Sequence, residues 1–138
     1  MKVFADSSYF ISFYDDVDQK HSTAIKLTKE LASQPLEVFT SDYIYDETIT
    51  LLLTTHKYYG YLRTQQFDQD VLASGKFNFI RISDTLFQKG RETFRRYAKD
   101  KQWSFTDCTS YVIMKDMGIK NVLTFDKHFK QMGFKLIE

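Results

Sequence analysis

Short runs of apolar residues alternate along the chain with longer stretches in which apolar and polar residues recur at helical spacing. The apolar runs are four to six residues long and are bounded by residues typical of turns and helix caps. Such runs predict buried β-strands. We predict strands at Lys2–Ala5, Leu36–Thr40, Phe77–Ile82, Asn121–Phe125 and Phe134–Ile137.

The stretches between these strands predict helices, several of which begin after Ser or Asp and end at Gly. We predict helices at Tyr9–Tyr14, His21–Ser33, Tyr43–Lys57, Tyr61–Ala73, Thr85–Lys99 and Ser104–Met117, with one or two helical turns at Asp126–Met132. Strands that alternate with helices favour parallel pairing, so the pattern predicts an α/β sandwich. With right-handed crossovers, the carboxyl ends of all the strands meet at one edge of the sheet, where proteins of this class place their sites.

The length of 138 residues and the hydrophobic content of 43% fit one domain, which we place at residues 1–138. No apolar run approaches the roughly 20 residues that a transmembrane helix requires. The chain also reaches Asp6 before an apolar signal segment could form. Cys108 is the single cysteine, so we expect it to be a packing residue of a cytoplasmic protein.

Two aspartates occupy matching places on two predicted strands. Asp6 follows the run Val3-Phe4-Ala5, and Asp126 follows Val122–Phe125. Each therefore lies where a parallel strand ends, and we expect both side chains to open onto the same edge of the sheet. Helix capping is the alternative explanation for each aspartate taken singly.

Two further acids lie in predicted helices. Asp107 is in the first turn of a helix that we expect to be buried, a place where the helix dipole alone also favours a carboxylate. Glu47 falls about 40° from Leu51 on a helical wheel, at the edge of an apolar stripe that we expect to face the core. That stripe is Ile44, Thr48, Leu51 and Thr55. A rim glutamate paired with a basic residue is the alternative for Glu47.

Four converging carboxylates would repel one another unless a cation lay between them. Oxygen ligands suit Mg²⁺ or Mn²⁺, whereas no His or Cys pair has the spacing of a zinc site. A divalent cation of this kind can activate water and stabilise charge on a phosphoryl oxygen, which is the chemistry of phosphodiester hydrolysis.

The four acids lie in four short sequence blocks that follow one another along the chain. They are Phe4-Ala5-Asp6-Ser7-Ser8, Asp46-Glu47, Ser104-Phe105-Thr106-Asp107-Cys108 and Leu123-Thr124-Phe125-Asp126-Lys127-His128-Phe129. In these blocks, and over nearly its whole length, the chain resembles the PIN-domain family, most closely the small prokaryotic toxin ribonucleases of VapC type.

The resemblance implies a three-layer α/β/α sandwich with a mostly parallel five-stranded sheet of order 3-2-1-4-5. It implies that Asp6, Glu47, Asp107 and Asp126 are catalytic and hold Mg²⁺ or Mn²⁺. Ser8 and Thr106 would be supporting hydroxyl groups. His128 departs from the family pattern, because many relatives carry a further acid at that position.

The resemblance further implies a metal-dependent endoribonuclease, the toxin of a type II toxin–antitoxin pair, with RNA as substrate, an antitoxin protein as partner and a homodimeric state. Two alternatives remain open from the sequence. The chain could be a PIN-domain nuclease of RNA processing, or a catalytically silent module that binds RNA or protein.

Two predicted surfaces are candidates for contact with RNA and with protein partners. Arg91, Arg95 and Lys99 recur every four residues and form a basic stripe, for which we weigh RNA phosphate contact against a merely solvated helix face. Phe87, Phe94 and Ala98 would form the buried side of the same helix. Residues Tyr45, Ile49 and Leu52 form a second apolar sector on the helix of Glu47, which predicts either an oligomer interface or packing by the next helix.

Overall fold

The computed structural model describes residues 1–138 and contains a five-stranded sheet of order β3-β2-β1-β4-β5. All four strand pairs are parallel. The predicted fold class and strand order are therefore confirmed. The strands are β1 Lys2–Ala5, β2 Glu37–Ser41, β3 Phe77–Ile80, β4 Asn121–Leu123 and β5 Lys135–Leu136.

Helices flank the sheet. They are α1 Ser7–Tyr14, α2 His21–Ala32, α3 Asp42–Leu53, α4 Tyr59–Asp68 with a π-helical continuation over Gln69–Ala73, α5 Asp84–Lys101, α6 Phe105–Met117 and α7 His128–Gln131. The chain runs outward from β1 to β3 and then returns past β1 to β4, so right-handed crossovers place α1–α4 and α5–α7 on opposite faces. No helix combines the length and the apolar character needed to cross a lipid bilayer.

The core lies around β1, because this central strand is covered on both faces. Val3, Phe4 and Ala5 are fully buried. On one side, the ring of Phe10 in α1 meets the ring of Phe67 in α4 edge-on, with 4.9 Å between centroids. These contacts fix α1, which follows Asp6 directly, against the sheet and α4.

The prediction of the core-facing stripe of α3 is right for Ile44 and Thr48 but wrong for the C-terminal half of the helix. Leu51 is 48% exposed, whereas Leu52 is fully buried and continues the buried face of Ile44 and Thr48. The reason is that α4 packs against α3, so that the side of α3 that carries Leu52 is buried in place of the side that carries Leu51. Thr55 lies beyond the end of the helix, since α3 ends at Leu53.

The predicted buried side of α5 is also only partly right. Phe87 and Phe94 are 38% and 41% exposed, and Gly90 is the one buried residue of this helix. A Cβ on Gly90 would lie 3.1 Å from the side chain of Thr109, so the absence of a side chain lets α5 approach α6 closely. The two phenylalanine rings lie over Phe105 at the margin of that contact, at 5.3 and 6.0 Å.

Candidate metal centre

The site lies where the chain leaves β1 and β4, the two central strands on either side of the point at which the strand order reverses. Asp6 follows β1 and Asp126 follows β4 by three residues. The backbone N–H of Asp6 donates to the carbonyl of Leu123 at 3.0 Å, which ties the two strand ends together. The predicted shared edge for these two aspartates is what the structure shows.

Two hydroxyl groups fix the Asp6 carboxylate. Thr124 and Ser8 both donate to its Oδ2 atom, at 2.8 and 3.0 Å. The same hydroxyl oxygens accept the backbone N–H groups of Asp126 and Phe125, each at 2.9 Å. The Asp6 side chain makes no capping bond to α1, so helix capping does not explain this residue.

Burial is the main influence on the protonation of Asp6, which is only 3% exposed. Burial, assisted by the charge of Asp107, outweighs the lowering effect of the hydrogen bonds from Thr124 and Ser8, and the pKa of Asp6 is raised to about 6. A carboxylate held this far from water costs free energy in its charged form unless a cation lies close to it.

Asp107 is fixed by the start of α6. Ser104 and Asp107 form a capping box, in which the Asp107 N–H donates to the Ser104 Oγ at 3.0 Å and the Ser104 N–H donates to the Asp107 Oδ2 at 3.1 Å. Burial raises the pKa of Asp107, and the charge of Asp126 raises it too. Asp107 therefore has a structural role that does not exclude a second role in the site.

Glu47 lies on α3 and accepts a hydrogen bond from the hydroxyl of Ser7. Burial raises the pKa of Glu47, and the charges of Asp107 and Asp126 raise it as well. Its neighbour Asp46 points away from the buried face of α3 and is exposed. Asp107 thus acts on the pKa of both Asp6 and Glu47, and Asp126 acts on that of both Glu47 and Asp107, so the four acids of the predicted quartet lie close enough for their charges to interact.

His128 brings a nitrogen atom to this edge. Its ring Nδ1 lies 3.1 Å from Oδ2 of Asp107 and 3.5 Å from Oδ1 of Asp126. One ligand atom from each of these three residues lies within 4.8 Å of the others. The backbone N–H of His128 also donates to Oδ1 of Asp126 at 2.9 Å.

The acidic cluster has no lysine or arginine partner. The Lys and Arg ion pairs of the structure involve other acids, namely Asp15, Asp16, Asp42 and Asp116. Half-buried and buried carboxylates that lack a basic partner, together with one imidazole, are a donor set suited to a divalent cation. The residues present therefore fit a metal ion of that class.

Several residues at the site were not singled out by sequence reasoning. Ser7, Ser104 and Thr124 hold three of the four carboxylates in place. Only the Ser104 role had a readable signal, since Ser-x-x-Asp before an apolar helix indicates a capping box. Thr106, the other predicted supporting hydroxyl, makes no side-chain hydrogen bond to a carboxylate, and its carbonyl accepts the Thr109 hydroxyl.

The remaining candidates lie outside this cluster. Cys108 is buried, and burial raises the pKa of its thiol to about 11, which fits a packing role. The three residues of the basic stripe are exposed on α5 and form no ion pair, while Arg91 donates to Gln88. Their contact with RNA stays a prediction.

Packing by α4 explains much of the second apolar sector on α3. The ring of Tyr45 lies 5.5 Å from that of Phe67, and its hydroxyl donates to Asp68 at 2.6 Å. Large side chains nevertheless remain exposed along α3, α4 and the turn between them. They are Leu51, Leu53, Tyr58, Tyr59, Tyr61 and Leu62.

Comparison with known proteins gives concordant results. The family model of the PIN domain matches residues 3–135. The 23S rRNA-specific endonuclease VapC20 of Mycobacterium tuberculosis is 30% identical over 132 residues, which cover 96% of this chain and 95% of that protein. A VapC ribonuclease of Archaeoglobus fulgidus is 27% identical over 130 residues, covering 94% of this chain and 80% of that protein.

The solved structures agree with the sequence relatives. The crystal structure of Mycobacterium tuberculosis VapC20, described as a sarcin-ricin loop cleaving toxin, superposes with a TM-score of 0.83 at 28% identity and covers 96% of this chain and 95% of that one. VapBC2 from Rickettsia felis superposes with a TM-score of 0.64 at 11% identity, covering 99% of this chain and 97% of that one. The second likeness shows the fold alone.

Proposed function

Since this chain belongs to the PIN-domain family, we propose that it is a divalent-metal-dependent endoribonuclease and the toxin of a toxin–antitoxin pair. The observation that carries the proposal is a group of four carboxylates around the carboxyl ends of β1 and β4, whose charges act on one another and which have no lysine or arginine partner. Its relatives of comparable length are VapC ribonucleases.

In the proposed centre, Asp6, Glu47, Asp107 and Asp126 hold the cation, which is Mg²⁺ or Mn²⁺. When bound, such an ion lowers the pKa of a coordinated water and stabilises negative charge on a phosphoryl oxygen. Hydroxyl and backbone N–H groups of the chain hold the carboxylates in fixed positions, as this chemistry requires. Thr124 and Ser8 occupy Oδ2 of Asp6, which leaves Oδ1 without a hydroxyl partner.

The other carboxylates are oriented in the same manner. Ser7 orients Glu47, and the capping box orients Asp107. Because these partners are part of the backbone or of buried hydroxyl groups, the carboxylates are positioned before substrate arrives, and little reorganisation is left for the reaction. Charge neutralisation by the cation also removes the repulsion that opposes the close approach of an RNA phosphate.

For the substrate, we propose structured RNA, with large-subunit ribosomal RNA as the first candidate. The support is the likeness to VapC20, a 23S rRNA-specific endonuclease, over 96% of this chain. The basic stripe on α5 gives the surface that would contact the RNA backbone. This helix leads within four residues into α6, which carries Asp107.

For the partners, we propose an antitoxin and a second copy of this chain. The exposed side chains of α3 and α4 supply apolar surface for such contacts, since clustered apolar residues of this size typically mark protein interfaces. A basic side chain of the antitoxin inserted among the carboxylates would replace the cation and block the site.

The proposal is tested in cells of the natural host without antitoxin. Induction of the wild-type chain is expected to arrest growth, and primer extension on total RNA is expected to map a discrete cut. Asp126→Asn serves as the inactive control, because its amide oxygen can still accept the His128 N–H while its ligand charge is lost. Growth arrest without any RNA cut would contradict the proposal. An RNA cut without growth arrest would favour a nuclease of RNA processing, and neither effect would favour a silent binding module.

A further inference from the structure

We propose that His128 is a metal ligand through its Nδ1 atom, and that this nitrogen shifts the preference of the centre from Mg²⁺ toward Mn²⁺. This inference rests on the proposed function, since it concerns the same centre. It adds to the four carboxylates a fifth ligand of different chemistry, the imidazole nitrogen of His128.

The His128 Nδ1 atom is hydrogen-bonded to Asp107, and the distances around the ring match those between neighbouring ligands of one ion. Adjacent ligands at about 2.1 Å from an octahedral ion are about 3.0 Å apart, and opposite ligands are about 4.2 Å apart. The Nδ1 atom lies 3.1 Å from Oδ2 of Asp107 and 3.5 Å from Oδ1 of Asp126. Because one atom from each of the three residues lies within 4.8 Å of the others, a single ion can contact all three with small side-chain movements.

The backbone places this ring independently of the ring's own contacts. The N–H of His128 donates to Oδ1 of Asp126 at 2.9 Å, and the Asp126 N–H is held by the Thr124 hydroxyl at the same distance. Residue 128 begins α7, whose next residue, Phe129, is fully buried and anchors the turn. A side chain at position 128 is therefore directed to the site by main-chain and core contacts that substitution leaves intact.

The donor chemistry decides the metal preference. Mg²⁺ strongly favours oxygen ligands. The divalent transition metals, a series that starts with Mn²⁺, also bind nitrogen donors. A site of carboxylates and one imidazole therefore favours Mn²⁺ more than a site of carboxylates alone does. An acid at position 128 would restore an oxygen-only site.

The test measures Mn²⁺ binding and its ligands directly, on the full chain without RNA. Pulsed electron paramagnetic resonance of bound Mn²⁺ detects a directly coordinated imidazole nitrogen, and labelling histidine with ¹⁵N identifies the signal as histidine. We expect this signal in the wild-type protein and its loss in His128→Ala. His21→Asn is the matched control, because the His21 Nδ1 faces the carbonyl of Ser12 at 2.9 Å rather than the carboxylates, and it should keep the signal.

Competition titrations measure the preference. In His128→Ala the Mn²⁺ affinity should fall at least tenfold while the Mg²⁺ affinity changes by less than about threefold, in keeping with the cost of losing one ligand interaction. His128→Asp should raise the Mg²⁺ affinity relative to that for Mn²⁺. Tight Mn²⁺ binding by the wild type without a histidine nitrogen signal would overturn the inference and leave the proposed function standing. Absence of Mg²⁺ and Mn²⁺ binding by the wild type would overturn both.

Discussion

Replacing Asp6 with asparagine should stabilise the metal-free protein at neutral pH. Asp6 is buried, and its pKa is raised from 3.8 to about 6. Asparagine keeps the shape of the side chain, since its amide oxygen can accept the hydroxyl groups of Thr124 and Ser8 that now donate to Oδ2. The substitution therefore removes the charge and leaves the hydrogen bonds.

The magnitude follows from the shift in pKa. The fold favours the protonated form of Asp6, so this group costs nothing below about pH 4, and its cost grows as the pH rises toward 6 and is complete above it. A shift of about two units corresponds to about 3 kcal/mol at pH 7. Asp6→Asn should therefore raise the free energy of unfolding by about 3 kcal/mol, or the melting temperature by on the order of 10 °C.

The assay is urea unfolding of the wild type and of Asp6→Asn in EDTA between pH 4 and pH 8. The difference in free energy should be near zero at pH 4 and reach its full value at pH 7. Asp46→Asn is the matched control, because Asp46 is the exposed acid beside Glu47 and its replacement should change stability little at either pH. A variant less stable than wild type at pH 7, or a difference that does not vary with pH, would refute the reasoning. Asp6→Asn should also abolish RNA cleavage.

Three further predictions concern the metal, the RNA surface and the core. The affinity for Mn²⁺ should fall as the pH drops below about 6, because protons then compete for Asp6, and calorimetric titrations at pH 5 and pH 7.5 would show this. Changing the whole basic stripe to alanine should make the slope of log affinity against log salt shallower by about 0.7 for each lost phosphate contact, measured with single-stranded RNA; an affinity within about twofold of wild type at two salt concentrations would contradict this. Phe67→Ala should cost about 3–5 kcal/mol of unfolding free energy, whereas Tyr58→Ala on the exposed surface should cost less than about 0.5 kcal/mol.

The sequence predicted the elements of this fold well, because the buried strands are uninterrupted apolar runs with polar caps. All five strands lie where the pattern places them, although β3 ends at Ile80 and not at Ile82, and β4 ends at Leu123 and not at Phe125. Beyond both strand ends the backbone N–H groups donate to side chains, that of Ile82 to the Asp42 carboxylate and that of Phe125 to the Ser8 hydroxyl. The strand order depended on the family resemblance, since local pattern does not determine which strands are neighbours.

The acids of the site were readable from their places at strand ends and on helix faces, but the groups that hold them were not. Thr124 contacts Asp6 across 118 positions of the chain, and Ser7 reaches Glu47 across 40. Such contacts depend on the register of packed elements, which no local pattern contains. The face that α3 buries was mispredicted for a similar reason, because α4 packs against α3 and Leu52, not Leu51, is buried.

Cleavage of an end-labelled RNA by the purified chain, before and after removal of divalent metal, tests the central claim most directly. Asp107→Asn is the variant to compare, because an amide oxygen can still accept the Ser104 N–H and keep the start of α6 intact. The wild type should cut internal bonds with Mn²⁺ or Mg²⁺ and stop in EDTA, and Asp107→Asn should not cut under either condition. Undiminished cutting in EDTA, or cutting by Asp107→Asn at the wild-type rate, would contradict a metal-dependent centre built on these carboxylates.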